Sequence, residues 1–117
     1  MKTIFCDIDG VLLYQPPNYL TVVKGDEMCD IAGAAEKLFE WHNKGYNVIL
    51  TTGRPEHMRS ITIDNLKSQG IMYDVLIMDL GPGPRILIND TDPDHPDEEK
   101  AVAINVPRNK GIKSIEL

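Results

Sequence analysis

Five short apolar runs punctuate the chain: Ile4 to Cys6, Val48 to Leu50, Val75 to Met78, Ile86 to Ile88 and Val102 to Ile104. Each has the form expected of a strand buried on both faces of a parallel sheet. Between the first two runs, Ile31, Ala34, Ala35, Leu38, Phe39 and His42 recur at helical spacing. Asp30 is placed to cap that helix and Gly45 to stop it, while Trp41 falls off the stripe. Between the second and third runs, Pro55 suits a first helical position, Met58, Thr62 and Leu66 share a stripe, and Gly70 ends the segment. Strand and helix alternate, which predicts an α/β domain. Right-handed crossovers would put helices on both faces of the sheet, with ligands bound beyond the carboxyl ends of its strands.

The remaining segments read as loops around that edge. Leu12 to Lys24, with Tyr14, Pro16, Pro17 and Tyr19, is expected to overhang it. Gly81-Pro82-Gly83-Pro84 is a rigid turn before the fourth run, and Asp92-Pro93-Asp94-His95-Pro96-Asp97 a polar loop after it.

Composition narrows the partners. With 117 residues and 42% hydrophobic content, the chain suits one domain, residues 1–117, with a core of its own. A net charge of −6, with no basic face, disfavours binding to a nucleic-acid backbone. No run approaches the roughly 18 to 20 apolar residues of a membrane span, and the N-terminus has no signal-peptide pattern, so no membrane partner and a cytoplasmic location are expected. Cys6 and Cys29 lack any framework spacing and are expected to be reduced.

The chemistry gathers at three strand ends. Asp7-Ile8-Asp9-Gly10-Val11 sets two carboxylates beside a buried apolar run, where charge persists only if a cation or strong hydrogen bonds compensate it. Leu50-Thr51-Thr52-Gly53-Arg54 brings hydroxyls, a glycine and a guanidinium to the same edge, ahead of a helix N-terminus suited to phosphate. Ile88-Asn89-Asp90, followed by Asp92 and Asp94, adds oxygen ligands of the kind magnesium takes. Plainer readings stand beside these: Thr52 as a helix cap, Asp92 and Asp94 as turn initiators, Arg54 as a surface charge, His42 as a packed core residue. Arg108, in Pro107-Arg108-Asn109-Lys110-Gly111, could reach the edge from the last run.

In order and placement, Asp7 to Val11, Thr52, and Asp90 with Asp94 resemble the first, second and fourth motifs of the haloacid dehalogenase-like (HAD) phosphohydrolase superfamily, over about the first 94 residues. The resemblance implies a three-layer α/β/α Rossmann-like fold with a five-stranded parallel sheet of order 3-2-1-4-5. It implies Asp7 as nucleophile, Asp9 as general acid and base, and Thr52 as a holder of a phosphoryl oxygen. Gly10 and Val11 would offer backbone amides, with Gly53 and Arg54 at the phosphate or substrate. Magnesium would be held by Asp7, Asp9, through its carbonyl, and Asp90, with Asp94 orienting. The third motif is normally a lysine, and none falls between Lys67 and Asp90. Arg85 is the expected substitute, with the forked geometry of a guanidinium.

In-line attack on phosphorus needs charge neutralisation, a positioned nucleophile and a proton for the leaving group, and these residues offer all three. The reading is a magnesium-dependent phosphomonoesterase working through an aspartyl phosphate. The short intervals between motifs leave no room for a cap domain. The expected partner is a small phosphorylated substrate such as a sugar phosphate or nucleotide, with a homo-oligomer left open by the apolar surface near Trp41. The alternative is a phosphate-binding regulatory domain of the same fold with little turnover; a mutase fits poorly without a cap.

Overall fold

The computed structural model describes residues 1–16 and 30–117. Three parallel strands form its sheet: β1 (Thr3–Asp7), β2 (Asn47–Thr51) and β3 (Val75–Ile77), in the order β1-β2-β3. Cys6 lies opposite Leu50 and Asp7 opposite Thr51, while Leu50 faces Leu76 and Thr51 faces Ile77. All three strands therefore end at one level, where the expected chemistry lies. Helix α1 (Ala34–Asn43) connects the first two strands. A 3-10 turn (Glu56–Met58) leading into α2 (Arg59–Ser68) connects the second pair. Residues 17–24 of the expected overhanging loop, and Cys29, lie outside the described residues.

Helix α1 starts later than its sequence suggests and is rotated. Gly33, at φ 88°, occupies the N-cap, so the helix begins at Ala34 and buries Ala34, Lys37, Leu38 and Trp41. Those positions are spaced i, i+3, i+4, i+7. Trp41, off the expected stripe, is 2% exposed, whereas Phe39 is 54% exposed and His42 points to solvent. The buried stem of Lys37 lets its ammonium reach Glu40 at 3.1 Å. The second helical segment keeps its expected stripe, with Met58, Thr62 and Leu66 buried and the chain turning away at Gly70 with φ 71°. Pro55, however, expected at the first helical position, is extended ahead of the 3-10 turn, and α2 begins only at Arg59.

The core lies on one side of the sheet. Cys6, Val48, Leu50 and Leu76 share a face and pack with Leu38, Trp41, Met58 and Leu66. Both crossovers step in the same direction across the sheet, so right-handedness places both helices on that face. The opposite face carries Phe5, Val75 and Ile77, exposed at 53%, 47% and 37%. Among the described residues the domain thus has two layers rather than the three expected.

Ile86–Ile88 and Val102–Ile104, expected as the fourth and fifth strands, form none. A parallel strand beyond β1 needs a crossover of a dozen or more residues. The chain has only residues 78–85 between β3 and Ile86, with no helix among them. The two segments extend outward as the limbs of an arm, joined where the Asn89 side-chain amide donates to the Lys100 carbonyl at 3.0 Å. The chain then returns: Ile112 is 2% exposed and belongs to the core, and the Tyr46 hydroxyl donates to the Leu117 carbonyl at 3.2 Å.

Candidate active site

Strand β1 delivers Asp7 to the carboxyl edge, and a tight loop immediately reverses the chain. The Ile8 carbonyl accepts the amides of Val11, Leu12 and Leu13 at 3.2, 2.9 and 3.0 Å, and the Gly10 amide donates to Leu13 at 2.8 Å. Gly10 takes φ 84°, a conformation that disfavours side chains, and a Cβ there would stand 3.1 Å from Cγ of Arg108. Its carbonyl accepts the Asn109 amide at 2.7 Å. The Asn109 side chain closes a reciprocal pair with the Gln15 backbone, accepting its N–H at 2.8 Å and donating to its carbonyl at 2.9 Å.

These segments enclose an open crevice of about 260 Å3 lined by Asp7, Asp9, Gly10, Val11, Gln15, Val106 and Arg108. A larger hollow of about 370 Å3 lies along α1 between Glu36, Lys37, Glu40 and Lys113, away from both aspartates. The carboxylates mark the first as the chemically relevant one.

Asp7 lines the crevice and remains exposed to solvent there. Desolvation in the crevice pushes its carboxyl above the ordinary aspartate range, against a hydrogen bond from the Ile8 backbone; Asp9 adds repulsion, and Arg85 and Arg54 oppose it. Asp9 is instead neutralised directly. Arg54, 2% exposed, grips it with both arms of its guanidinium, Nε to Oδ2 at 2.9 Å and Nη2 to Oδ1 at 2.6 Å. The remaining nitrogen, Nη1, donates to the Thr62 hydroxyl on α2 at 2.9 Å. Arg54 is thus a buried group rather than a surface charge, and its guanidinium is directed at Asp9 and Thr62.

Thr52 is 1% exposed, and its hydroxyl oxygen accepts the Arg54 amide at 3.1 Å. Gly53 meets the following loop: a Cβ there would come 2.7 Å from the Gly81 carbonyl oxygen. That contact, with the Leu80 amide donating to Thr52 at 3.1 Å, lays residues 80–85 across the edge. Arg85 folds over its own turn, donating to the carbonyls of Gly83 at 2.5 Å and Gly81 at 3.1 Å, and its field reaches Asp7.

Asp90 and Asp94 are not brought to this crevice by their own chain. Asp90 is exposed on the arm, where a hydrogen bond from the Lys100 ammonium, reinforced by its charge, holds its carboxyl below the ordinary range. The Asp94 amide donates to Asp92 at 2.9 Å within a turn. Among the described residues no three His, Cys, Asp or Glu side chains converge on a metal site. Among the described residues, with Asp9 matched by Arg54, the crevice offers one uncommitted carboxylate, Asp7, with Arg108 in the same lining and the charge of Arg85 acting on it. Such a donor set favours a phosphate dianion over a divalent cation, and the described residues of one copy do not by themselves make a magnesium site.

Gln15 and Asn109 are site-building residues that strand and helix patterning does not reveal. The available signal is the Asn109-Lys110-Gly111 turn, since asparagine tolerates the left-handed conformation that Asn109 adopts at φ 62°.

Comparison with known proteins adds the lineage. Residues 7–81 match the model of the HAD superfamily, subfamily IIIB (acid phosphatase). Comparison with curated protein sequences finds no match. Among solved structures, the chain resembles one of the Pnkp1/Rnl/Hen1 complex, with a TM-score of 0.59 and 28% identity over 73% of this chain and 30% of that one. D,D-heptose 1,7-bisphosphate phosphatase from B. bronchiseptica, solved with magnesium and phosphate, has a TM-score of 0.53 and 24% identity over 70% of this chain and 52% of that one. A structural-genomics target from Vibrio cholerae has a TM-score of 0.54 and 19% identity, covering 83% and 85%. The chain therefore spans only 30% and 52% of the first two proteins. The matched family segment opens on Asp7 itself and closes at Gly81, against Gly53, and on that match the chain belongs to the HAD superfamily, subfamily IIIB.

Proposed function

We propose that the chain hydrolyses phosphate monoesters through an aspartyl phosphate on Asp7. The observation that carries this reading is the Asp7 carboxylate at a sheet edge, in a crevice shared with Asp9 and Arg108 and within the field of Arg54 and Arg85. A carboxylate there is a nucleophile with cationic groups nearby for the incoming dianion. An Asp7 oxygen forms a bond to phosphorus as the ester P–O bond breaks, and the departing oxygen takes a proton from Asp9. Water, losing a proton to Asp9, then attacks phosphorus, and the Asp7–phosphorus bond breaks to release phosphate. Arg54 holds both Asp9 oxygens, so one must leave that grip when Asp9 transfers a proton.

The family and the heptose bisphosphate phosphatase support a phosphatase, and the latter's bound magnesium and phosphate support a magnesium requirement. The substrate class is a small phosphorylated metabolite, such as a sugar phosphate or nucleotide. The second reading, a phosphate-binding domain with little turnover, draws on Asp90 standing apart from Asp7. Release of p-nitrophenol from p-nitrophenyl phosphate with and without magnesium, beside Asp7→Asn and Arg85→Ala, separates the two. Magnesium-dependent release that Asp7→Asn abolishes supports the enzyme; release that survives Asp7→Asn, or no release at all, removes it.

A further inference from the structure

The arm and the sheet carry complementary unsatisfied surfaces. Ile86, Leu87 and Ile88 on one limb are 84%, 52% and 90% exposed, and Val102 and Ile104 on the other are 60% and 51% exposed. Among the described residues, 82–91 donate no backbone hydrogen bond to another backbone group, and neither do 99–106. Among the described residues β1 is also an edge strand with only β2 beside it, and Phe5, Val75 and Ile77 lie exposed on the open face. An exposed apolar edge of this kind is a template for another strand.

The chain's own arm is poorly placed to fill it. Both ends of the arm are fixed at the carboxyl edge, by Gly81 against Gly53 and by Val106 and Arg108 in the crevice. A parallel strand that ends with Asp90 beside Asp7 must start at Ile86, about 13 Å below that edge, at roughly 3.3 Å per residue. It must also lie two strand spacings from Gly53, about 10 Å sideways. The combined distance, about 16 Å, consumes nearly the whole reach of five fully extended residues, about 17 Å. Yet Gly81 to Arg85 is a turn, closed on itself by the Arg85 hydrogen bonds to Gly81 and Gly83.

A second copy has no such restriction. We propose that two copies of this chain exchange residues 86–105, each laying Ile86–Ile88 along the free edge of the other's β1 and bringing Asp90 to the other's Asp7. The arrangement is isologous, so one surface serves both copies. Twenty exchanged residues, together with the β1 edge and open face, match the about 20–30 residues a side of a stable interface. It also supplies the carboxylate that a single copy does not bring to the crevice. The role of Asp90 there, and the register used for the reach of the arm, rest on the phosphatase reading, whereas the exposed limbs and the free β1 edge do not.

Light scattering on the full chain at about 50 μM, in the range where typical specific interfaces are populated, is expected to give twice the 13.1 kDa chain mass. The double variant Ile86→Asp, Ile88→Asp is expected to give a monomer with a single cooperative thermal transition, since neither side chain supports its own core. A monomeric wild type, or a dimer unaffected by the double variant, overturns the exchange. Delivery of Asp90 is tested by co-refolding Asp7→Asn with Asp90→Asn and assaying p-nitrophenyl phosphate with magnesium. Each variant alone is inactive, but random pairing makes half the dimers mixed, each with one intact site, so about a quarter of wild-type activity returns. No recovery beside an active wild type overturns that delivery. An inactive wild type removes the phosphatase reading and with it the role of Asp90, while the mass measurement still decides the exchange.

Discussion

Arg54 and Asp9, 45 residues apart, form a two-point ion pair at 2.9 and 2.6 Å whose arginine is buried and whose aspartate opens into the crevice. The pair joins the start of the chain to the segment after β2, and through Thr62 to α2. Replacing Arg54 with alanine leaves Asp9 and the Thr62 hydroxyl without this partner, and is expected to cost about 3 kcal/mol, the lower end for a broken buried pair because Asp9 retains some solvent. Urea unfolding measures this directly. Arg54→Lys, which keeps the charge but not the fork, is expected to recover less than half of the loss.

The raised Asp7 carboxyl implies a conflict between activity and stability. A folded-state pKa above the unfolded value favours folding fully below the unfolded value, and that contribution is lost as pH rises through the folded one. Asp7→Asn is therefore expected to melt at a higher temperature than wild type at pH 7. The difference should shrink towards zero as pH falls below the ordinary aspartate value of about 4. Melting curves across that range, beside the abolished phosphatase activity, test both sides of the conflict.

Gly53 has no room for a side chain, because a Cβ would lie 2.7 Å from the Gly81 carbonyl oxygen and 3.1 Å from its carbon. Backbone atoms cannot swing aside as a flexible side chain does. Gly53→Ala is expected to push residues 80–85 off the sheet edge, carrying Arg85 from Asp7. Overpacking of this kind costs about 1–3 kcal/mol. Phosphatase assays should show a larger fall in kcat/KM than Gly83→Ala, where an added Cβ meets nothing within 4 Å.

Cys6 is buried in the core, and burial first, then the charge of Asp7, pushes its thiol up to about 12. The reactive thiolate is correspondingly scarce at neutral pH. In a Cys29→Ser variant, the remaining thiol is expected to resist an aromatic disulfide reagent in the folded protein and to react promptly in urea.

The sequence was most legible where local pattern and burial agree. The apolar runs ending at Cys6, Leu50 and Met78 mark β1 to β3, and the Met58, Thr62, Leu66 stripe marks α2. Ile86–Ile88 carries an equally strand-like composition, but pairing depends on how far the preceding turn reaches, which composition does not encode. The rotation of α1 was hidden for a similar reason: Gly33 adopts a left-handed conformation and resets the register, so Trp41 rather than Phe39 faces inward. At the site, Asp7, Asp9, Thr52 and Arg54 gather at one edge because they follow strand ends. The grip of Arg54 on Asp9 was not legible, since a guanidinium reads alike whether it faces substrate or a neighbouring carboxylate.

The Asn109 side chain clasps the Gln15 backbone across 94 residues of sequence, while the adjacent amide holds Gly10. Closing a loop costs only about 0.6 kcal/mol more for each doubling of its length. The clasp fixes the crevice at the arm's base, so the tip between the two limbs can gain residues at little energetic cost to the pocket. That makes the tip, around Pro93 to Pro96, a natural insertion point for a tag or a further module.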